Sequence, residues 1–351
     1  MIKSLKGLRA LAMIGIFLFH SGLLLKGTFL VTFFFILSGF MAYYTLYNRS
    51  DMDSNRKKVK WFINKVIKFY PIHIITFGMS IFIRWDYVLK LKENNELIIR
   101  GFLNLTLLQS FFEKYAMSFN GLSWFLSTTI IIYMVSFMLL KMVKKVRVVN
   151  CKYFIVVIVI LQSISNYISY FGIYSLYMYC NPFYRVFDFL IGMLTARIVV
   201  SNKESNIFRN MIDNNSSIIE VGIIIIFIMQ YILSFKLPDN MAYYSIIFSF
   251  ALYIYYRQGG IVSKYILSSE ILQKLANISF EFYMIHELIL IVFRKLFFNL
   301  EMYWVLKCSV IAIPSFIISL GLAILVHKFI TKKISKVNIK SIALKQFKVK
   351  V

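Results

Sequence analysis

The sequence predicts an all-α integral membrane protein, a bundle of about ten transmembrane helices with both termini in the cytoplasm. Three observations support this fold class. The 351-residue chain is 60% hydrophobic and 18% aromatic, a far higher apolar share than soluble domains have. Apolar runs of about twenty residues, long enough to cross a bilayer, recur along the whole chain. Its 40 Lys and Arg residues are concentrated in alternate connecting segments, as the positive-inside rule predicts.

Ten apolar segments define the predicted helices. They lie at 8–25, 28–47, 66–83, 122–140, 153–171, 183–200, 218–235, 241–256, 278–297 and 303–328. With the N-terminus inside, the segments assigned to the cytoplasm hold most of the basic residues, which favours this orientation and an even number of helices. These cytoplasmic segments are 1–7, 48–65, 141–152, 201–217, 257–277 and the tail. We predict one transmembrane domain over 1–330 and a basic cytoplasmic tail over 331–351.

The charge and the cysteines exclude two other classes of function. A net charge of +25 is typical of nucleic-acid-binding proteins, but here the cations lie in loops beside apolar spans, where they orient a membrane protein. We therefore predict no nucleic-acid partner. Cys151, Cys180 and Cys308 show no paired spacing. Since no histidine lies at metal-ligand spacing from a cysteine, we also predict no metal site.

The first predicted span carries an arginine and a histidine, Arg9 and His20. Eleven positions correspond to about 20° beyond three full helical turns, so both residues lie on one helix face, about 16 Å apart along the axis. This places Arg9 near the membrane surface and His20 in the apolar interior. An ionisable group in hydrocarbon is costly and is therefore a functional candidate. The alternative interpretation of His20 is a core imidazole bonded to a backbone carbonyl.

Later spans contain further charged candidates. Arg185 and Asp188 are three positions apart, so they are predicted to pair on one helix face, either as a structural ion pair or as part of a substrate pathway. Glu281 and His286 are about 140° apart around their helix, so we do not expect them to be partners. His286 has the same core-imidazole alternative as His20. His73 and His327 are expected at the membrane interface.

Two segments near the N-terminus resemble the acyltransferase-3 family of polytopic membrane proteins. The first span of that family reads "RAxA…H", which Arg9–Ala12 and His20 match. Its second span reads "FFxLSGF", which FFILSGF at 34–40 matches. Thr32 stands where the family usually has Asp or Ser before the two aromatic residues.

Further segments resemble motifs of the same family. Lys65, Lys68 and Tyr70 match the basic entry "R-x-x-R-I-Y-P" to the third helix, with Lys in place of Arg, so the bidentate contacts of a guanidinium would be lost. The start of the fourth span, 120–127, resembles "NGxxWxLSxE", but Thr129 replaces the final acidic residue. The other matches are "RxxxFxxG" at Arg185, Phe189 and Gly192, and "iSYxxYLxH" at 278–286.

This resemblance implies an O-acyltransferase of the bacterial plasma membrane. It would move an acyl group, with acetyl as the first expectation, from acyl-CoA to a hydroxyl of a surface or exported polysaccharide or lipid-linked sugar, without a bound cofactor. His20 would be the general base, since a neutral imidazole can accept a hydroxyl proton, and Arg9 would help to hold the donor phosphates. The candidates for binding substrate or coenzyme A are Lys65, Lys68, Tyr70, Ser38, Trp124, Ser127, Arg185, Asp188, Glu281 and His286.

Two alternatives remain open at the level of sequence. A polytopic protein with intramembrane charges can also be a polysaccharide or lipid-linked sugar exporter that transfers no acyl group. It can also be a structural membrane subunit, in which case Arg9 and His20 would tolerate substitution. Release of coenzyme A from acetyl-CoA distinguishes the transferase from both.

Overall fold

The protein is built from α-helices. A computed structural model describes residues 2–47, 54–171, 175–201, 206–236, 242–297, 299 and 301–334. The described residues form helices and turns and contain no strand. The predicted all-α class is therefore confirmed. Residues 335–351 of the predicted basic tail lie outside the described residues.

Fourteen α-helices succeed one another in the described ranges. They are α1 (Lys3–His20), α2 (Phe29–Leu46), α3 (Asn55–Ile83), α4 (Trp85–Glu93), α5 (Leu97–Leu105), α6 (Ser123–Lys145), α7 (Cys151–Phe171), α8 (Ser175–Cys180), α9 (Pro182–Val200), α10 (Asn206–Asn214), α11 (Ser216–Leu233), α12 (Ala242–Arg257), α13 (Glu270–Leu296) and α14 (Trp304–Val326). Short 3-10 turns lie at Gln109–Phe111, Glu113–Tyr115 and Val148–Asn150, and π-helical turns at Val262–Leu267 and His327–Thr331.

Seven helical segments of the described chain are long and apolar enough to cross a membrane. They are Phe29–Leu46, Asn55–Ile83, Ser123–Lys145, Val148–Ile168, Ser216–Leu233, Glu270–Leu296 and Trp304–Ile334. The predicted spans in α1, α9 and α12 are not among them. Helices α1 and α9 each carry three charged residues, and α12 has only 16 residues. The protein is thus a helical membrane protein, while the count of ten spans stays a prediction.

Helices α1, α3, α6 and α13 have boundaries that differ from the predicted ones by five residues or more. Helix α1 begins and ends five residues earlier than predicted, so His20 is its last residue instead of an interior one. The helix ends there because Ser21 is followed by Gly22, which has a φ of 85°, the left-handed conformation that commonly ends helices. Helix α3 starts at Asn55 instead of 66, because the basic residues of the predicted loop are good helix formers.

The segment between α3 and α6 is helical over much of its length. It contains α4, α5 and two 3-10 turns. Val88, Leu91 and Phe119 are buried together, and Phe77 from α3 packs against them. Arg84 Nη1 also donates a hydrogen bond to the Phe119 carbonyl over 2.6 Å. A small apolar core therefore fixes this segment.

The chain divides into two compact units. The first unit contains Met1–Phe19, Leu24–Ser50 and Ile131–Asn277, and the second contains His20–Leu23, Asp51–Ile130 and Ile278–Val351. In the first unit, α2 packs tightly on α9, and Gly39 and Gly192 allow this approach. A Cβ added at either glycine would overlap a backbone carbonyl of the other helix. Small residues at helix crossings are typical of membrane bundles, where close packing drives association.

The second unit is held by aromatic and polar contacts to α13. Phe69 of α3 lies 4.5 Å from Phe280 between ring centroids, and Phe282 lies 5.3 Å from Phe316 of α14. The Asn120 side chain donates a hydrogen bond to the Met284 carbonyl over 2.9 Å. These contacts position the central turns of α13, which carry the candidate site.

Candidate functional site

The second unit brings two predicted site residues, His20 and His286, into direct contact. His20 Nδ1 lies 2.8 Å from His286 Nε2, and the rings are stacked with an interplanar angle of 11°. His286 is fully buried, whereas the side chain of His20 is 20% exposed. One ring is therefore enclosed, and the other is partly accessible.

The hydrogen bonds define the proton positions of this pair. His286 Nδ1 lies 3.1 Å from the Phe282 carbonyl. Since a carbonyl only accepts, His286 Nδ1 donates and its Nε2 is the acceptor of a neutral ring. His20 Nδ1 must then donate to His286 Nε2. In a neutral His20 the lone pair available for a proton is consequently on Nε2.

A carboxylate and a guanidinium complete this group. Glu287 Oε2 lies 3.7 Å from His20 Nδ1. Arg294 Nη1 donates to Glu287 Oε1 over 3.1 Å, and Arg294 Nη2 donates to the main-chain carbonyl of His20. Arg294 thus binds the carboxylate and the C-terminal end of α1 together. A carboxylate at this distance favours the protonated, positively charged form of an imidazole.

Local helix geometry explains why these side chains meet. His286 follows Phe282 by one turn, so its ring reaches that carbonyl, and the rings of the two residues stack 5.5 Å apart. Glu287 and Arg294 are two turns apart on α13, which places them on one face. On the α1 side, Gly22 lies against Cys308 and Trp304 of the second unit. The turn after His20 is therefore held in place.

The three ligand-type residues of this group have the composition of a metal site. The ligand atoms of His20, His286 and Glu287 lie within 4.8 Å of one another. However, Arg294 places a positive charge on the carboxylate, which opposes binding of a divalent cation. The two imidazoles are also hydrogen-bonded directly to each other. The arrangement fits an acid–base group better than a metal centre.

The other predicted catalytic residue, Arg9, lies in the first unit. Its Nη2 donates to the carbonyl of Ala276 on α13. The side chains of Arg9 and Ser38 both lie close enough to Tyr133 to interact with it electrostatically. The structure thus groups Arg9 with Ser38, a predicted binding residue, and adds Tyr133, which the sequence analysis did not identify.

The predicted ion pair between Arg185 and Asp188 is present in the first unit and is almost completely buried. Arg185 Nη1 lies 2.8 Å from Asp188 Oδ2, and the side chains are 0% and 1% exposed. Arg185 also donates to Thr32 and to the Tyr179 carbonyl, while Gln162 donates to Asp188. Burial of both charges with several hydrogen-bond partners is typical of a structural ion pair.

The residues at the predicted basic entry to the third helix make local contacts in the second unit. Lys65 lies over the Trp61 ring and Lys68 over the Phe69 ring. The Tyr70 hydroxyl donates to the Leu105 carbonyl over 2.9 Å. Tyr70 is therefore occupied by a structural hydrogen bond.

The candidates on α6 are buried in the second unit. Trp124 is 1% exposed. Ser127 Oγ donates to the Leu107 carbonyl over 2.7 Å and lies 2.7 Å from Ser110 Oγ. Thr129, which stands at the acidic position of the family motif, bonds the Phe125 carbonyl of its own helix. These contacts fix the chain that precedes α6.

The structure corrects the prediction for His73 and shows the partner of Glu281. His73, expected at an interface, is completely buried, and its Nε2 donates to the Asn104 carbonyl over 2.9 Å, because α3 is covered here by α5. Glu281 is not a partner of His286, as expected; instead its Oε1 lies 2.9 Å from His327 Nδ1. This contact joins α13 to the π-helical turn after α14.

Sequence reasoning missed Glu287 and Arg294 as parts of the site. The Glu287 side chain is only 23% exposed and is held by Arg294. The seven-residue spacing of these two opposite charges on an apolar helix was a usable signal. The proximity of α13 to the end of α1 left no signal in the sequence, because it depends on tertiary packing.

Comparison with protein families gives one result for this chain. A family model described as an acyltransferase domain matches residues 2–328. No curated protein and no solved structure matches the chain. The match covers nearly the whole described chain, including both histidines of the site and Arg9. The chain therefore belongs to the acyltransferase-3 family of membrane proteins.

Proposed function

We propose that this protein is a membrane O-acyltransferase that moves an acetyl group from cytosolic acetyl-CoA to a hydroxyl of a surface or exported carbohydrate. Its location would be the bacterial plasma membrane. The observation that best supports the proposal is the hydrogen-bonded His20–His286 pair with Glu287 beside it. Acyl transfer to a hydroxyl requires a positioned base, and this group provides one.

The chemistry follows from the proton positions of the pair. The acceptor hydroxyl oxygen attacks the thioester carbonyl carbon, and its proton passes to Nε2 of His20. The carbon–sulfur bond then breaks, and the departing sulfur takes a proton back from the imidazolium. The products are the acyl ester and free coenzyme A. During the transfer, Glu287 stabilises the positive charge on His20.

The other predicted residues enter the proposal in lesser roles. Arg9 is proposed as a cation near the anionic donor, whereas a phosphate-binding role for Lys65 and Lys68 is only what the family resemblance implies. The hydrogen bonds of Tyr70 and Ser127 support structural roles for these side chains. The acceptor is proposed to be a carbohydrate on the basis of the resemblance alone.

The test uses purified full-length protein in lipid nanodiscs with acetyl-CoA and an acceptor glycan. Coenzyme A release and the O-acetyl signals of the glycan by NMR are measured together. We expect both for the wild type and neither for His20→Ala. His73→Gln is the matched control, because its amide can still donate to the Asn104 carbonyl.

Two outcomes contradict the proposal. Full activity of a well-inserted His20→Ala protein would remove His20 as the base. Transport of the glycan without coenzyme A release would instead support the exporter alternative.

A further inference from the structure

A polar pocket in the first unit is separate from all the residues predicted as site residues. Its volume is about 420 Å³, within the usual range for small-molecule sites. Its walls combine basic and aromatic side chains, with one acidic group. The main lining residues are Tyr44, Arg209, Asp213, Tyr253, Tyr256 and Arg257.

The pocket draws its walls from segments that the sequence analysis assigns to the cytoplasm. Ile2 precedes α1, Arg209 belongs to α10, and Arg257 ends α12. The ranges 1–7, 201–217 and 257–277 were all predicted to be cytoplasmic on the basis of their charge. With this predicted topology, a pocket built from these ends faces the compartment in which acyl-CoA is made.

Two arginines are arranged around one carboxylate. Arg257 Nη1 lies 3.0 Å from Asp213 Oδ1, and Arg209 Nε lies 3.8 Å from Asp213 Oδ2. Asp213 thereby holds the Arg257 guanidinium and lies near that of Arg209, and the three groups together carry a net positive charge. Since a guanidinium has five N–H donors in a planar fork, it can bind this carboxylate and a phosphate at the same time. The charge of the pocket favours a polyanion.

Three tyrosines supply flat surfaces beside the arginines. Tyr44 and Tyr256 are in edge contact at 5.7 Å between ring centroids, and the Arg257 guanidinium lies 5.5 Å from the centroid of Tyr253. Tyr44 is 37% exposed, so part of its ring is accessible. Aromatic rings of this kind stack on nucleobases.

The backbone at the pocket edge also has an unusual conformation. Gln258, which lines the pocket, has a φ of 55° at the end of α12. Glycine is the usual residue for such a position, and Gly259 is next in the chain. A residue other than glycine thus stands at a position where its side chain costs backbone energy, as is often seen at binding sites.

We propose that this pocket binds the phosphorylated nucleotide end of the acyl-CoA donor. The adenine ring lies against the tyrosines, and Arg209 and Arg257 hold the phosphates. This inference depends on the proposed function, because that function supplies the donor. It differs from the resemblance-based expectation that Lys65 and Lys68 hold the phosphates.

The test measures binding of adenosine 3′,5′-bisphosphate, the nucleotide end of coenzyme A, to the full chain in nanodiscs of zwitterionic lipid. Arg209→Gln and Tyr44→Leu alter accessible side chains, and Arg257→Gln alters the more buried arginine. We expect each variant to weaken binding by about tenfold, the loss of one charge-assisted hydrogen bond or one stacking contact. The KM for acetyl-CoA should rise, with little change in kcat.

Arg147→Ala, which removes an exposed arginine from another predicted cytoplasmic segment, is the matched control and should bind normally. Unchanged binding in Arg209→Gln and Tyr44→Leu would overturn the proposal. A loss of binding that occurs in the Lys65→Ala/Lys68→Ala double variant and in none of the pocket variants would also overturn it. Equal affinity for inorganic phosphate and for the nucleotide would also overturn it. His20→Ala separates the two proposals, because it should abolish transfer while leaving nucleotide binding intact.

Discussion

His20 Nδ1 and His286 Nε2 are joined by a hydrogen bond of 2.8 Å. Because His286 is anchored through Nδ1 to the Phe282 carbonyl, it presents an acceptor to His20. This makes His286 a positioning residue for the tautomer of His20. In serine hydrolases a carboxylate accepts the hydrogen bond from the catalytic histidine and fixes its tautomer. Here a buried imidazole is the acceptor instead.

The first prediction is that His286→Phe lowers kcat by about 100-fold or more, the size expected when a general base has the wrong tautomer. His286→Gln should recover part of this loss, because its amide oxygen can accept from His20 Nδ1. The KM for acetyl-CoA should stay near the wild-type value. Steady-state kinetics on both variants in nanodiscs provide the measurement.

A spectroscopic readout separates positioning from a purely structural role. Nitrogen NMR on ¹⁵N-histidine-labelled protein should show His20 protonated at Nδ1 in the wild type and a changed tautomer ratio in His286→Phe. An unchanged tautomer with normal kcat would contradict the prediction. The His20→Gln spectrum identifies the signal of His20 among the four histidines.

The second prediction concerns the carboxylate next to this pair. Glu287→Gln keeps the shape of the side chain but removes the negative charge 3.7 Å from His20 Nδ1. We expect kcat to fall by about tenfold or more, because the imidazolium of the transition state loses its counter-charge. Arg294→Lys should have a smaller effect, since Lys keeps the charge but cannot bond Glu287 and the His20 carbonyl with one fork.

Glu270→Gln is the control for this prediction. Glu270 belongs to the same helix and forms an exposed pair with Lys274. Its removal should leave kcat unchanged. Equal losses in Glu270→Gln and Glu287→Gln would mean that general destabilisation of α13, and not the charge at His20, causes the effect.

Some helices could be predicted closely from the sequence because their ends carry local signals. Helix α9 starts at Pro182 with Asn181 as its N-cap, whose side chain accepts from the Phe183 amide, and the prediction of 183–200 is nearly correct. Helix α2 was predicted at 28–47 and spans Phe29–Leu46. By contrast, the end of α1 was missed because the apolar residues before His20 and after Gly22 read as one continuous span.

The candidate site was predictable only in part. Intrahelical spacing indicated the Arg185–Asp188 pair, which the structure contains. The contact between His20 and His286 joins residues that are 266 positions apart, and no period or spacing in one sequence indicates it. The same limit applies to Tyr133 beside Arg9 and to His327 beside Glu281.

The third prediction addresses the packing of α2 on α9. Gly192→Ala adds a Cβ that would overlap the Ile36 carbonyl. Because backbone cannot move away as a flexible side chain can, we expect a loss of about 1–3 kcal/mol in the free energy of unfolding. The Cβ added by Gly222→Ala in α11 points into open space. This substitution should change the free energy of unfolding by less than about 1 kcal/mol. Thermal unfolding of both variants in detergent measures the difference, and similar values would contradict the close packing.

The fourth prediction is a pH dependence in the segment between α3 and α6. Glu96 accepts hydrogen bonds from Lys114 and Arg100, and these two cations lower the pKa of its carboxyl group, Lys114 most strongly. A lowered folded-state pKa stabilises the fold at pH values above the unfolded pKa of about 4.3. This stabilisation is lost as the pH falls through the lowered value.

Pepsin provides the measurement, because it cleaves at acid pH. We expect cleavage within 85–115 to increase as the pH is lowered below about 4. In Glu96→Gln, which cannot titrate, cleavage at the higher pH values should already be elevated and should change less with pH. Glu113→Gln is the matched control, since the Glu113 carboxylate forms no ion pair within the described residues. A pH response of Glu96→Gln identical to that of the wild type would show that another group controls the stability of this segment.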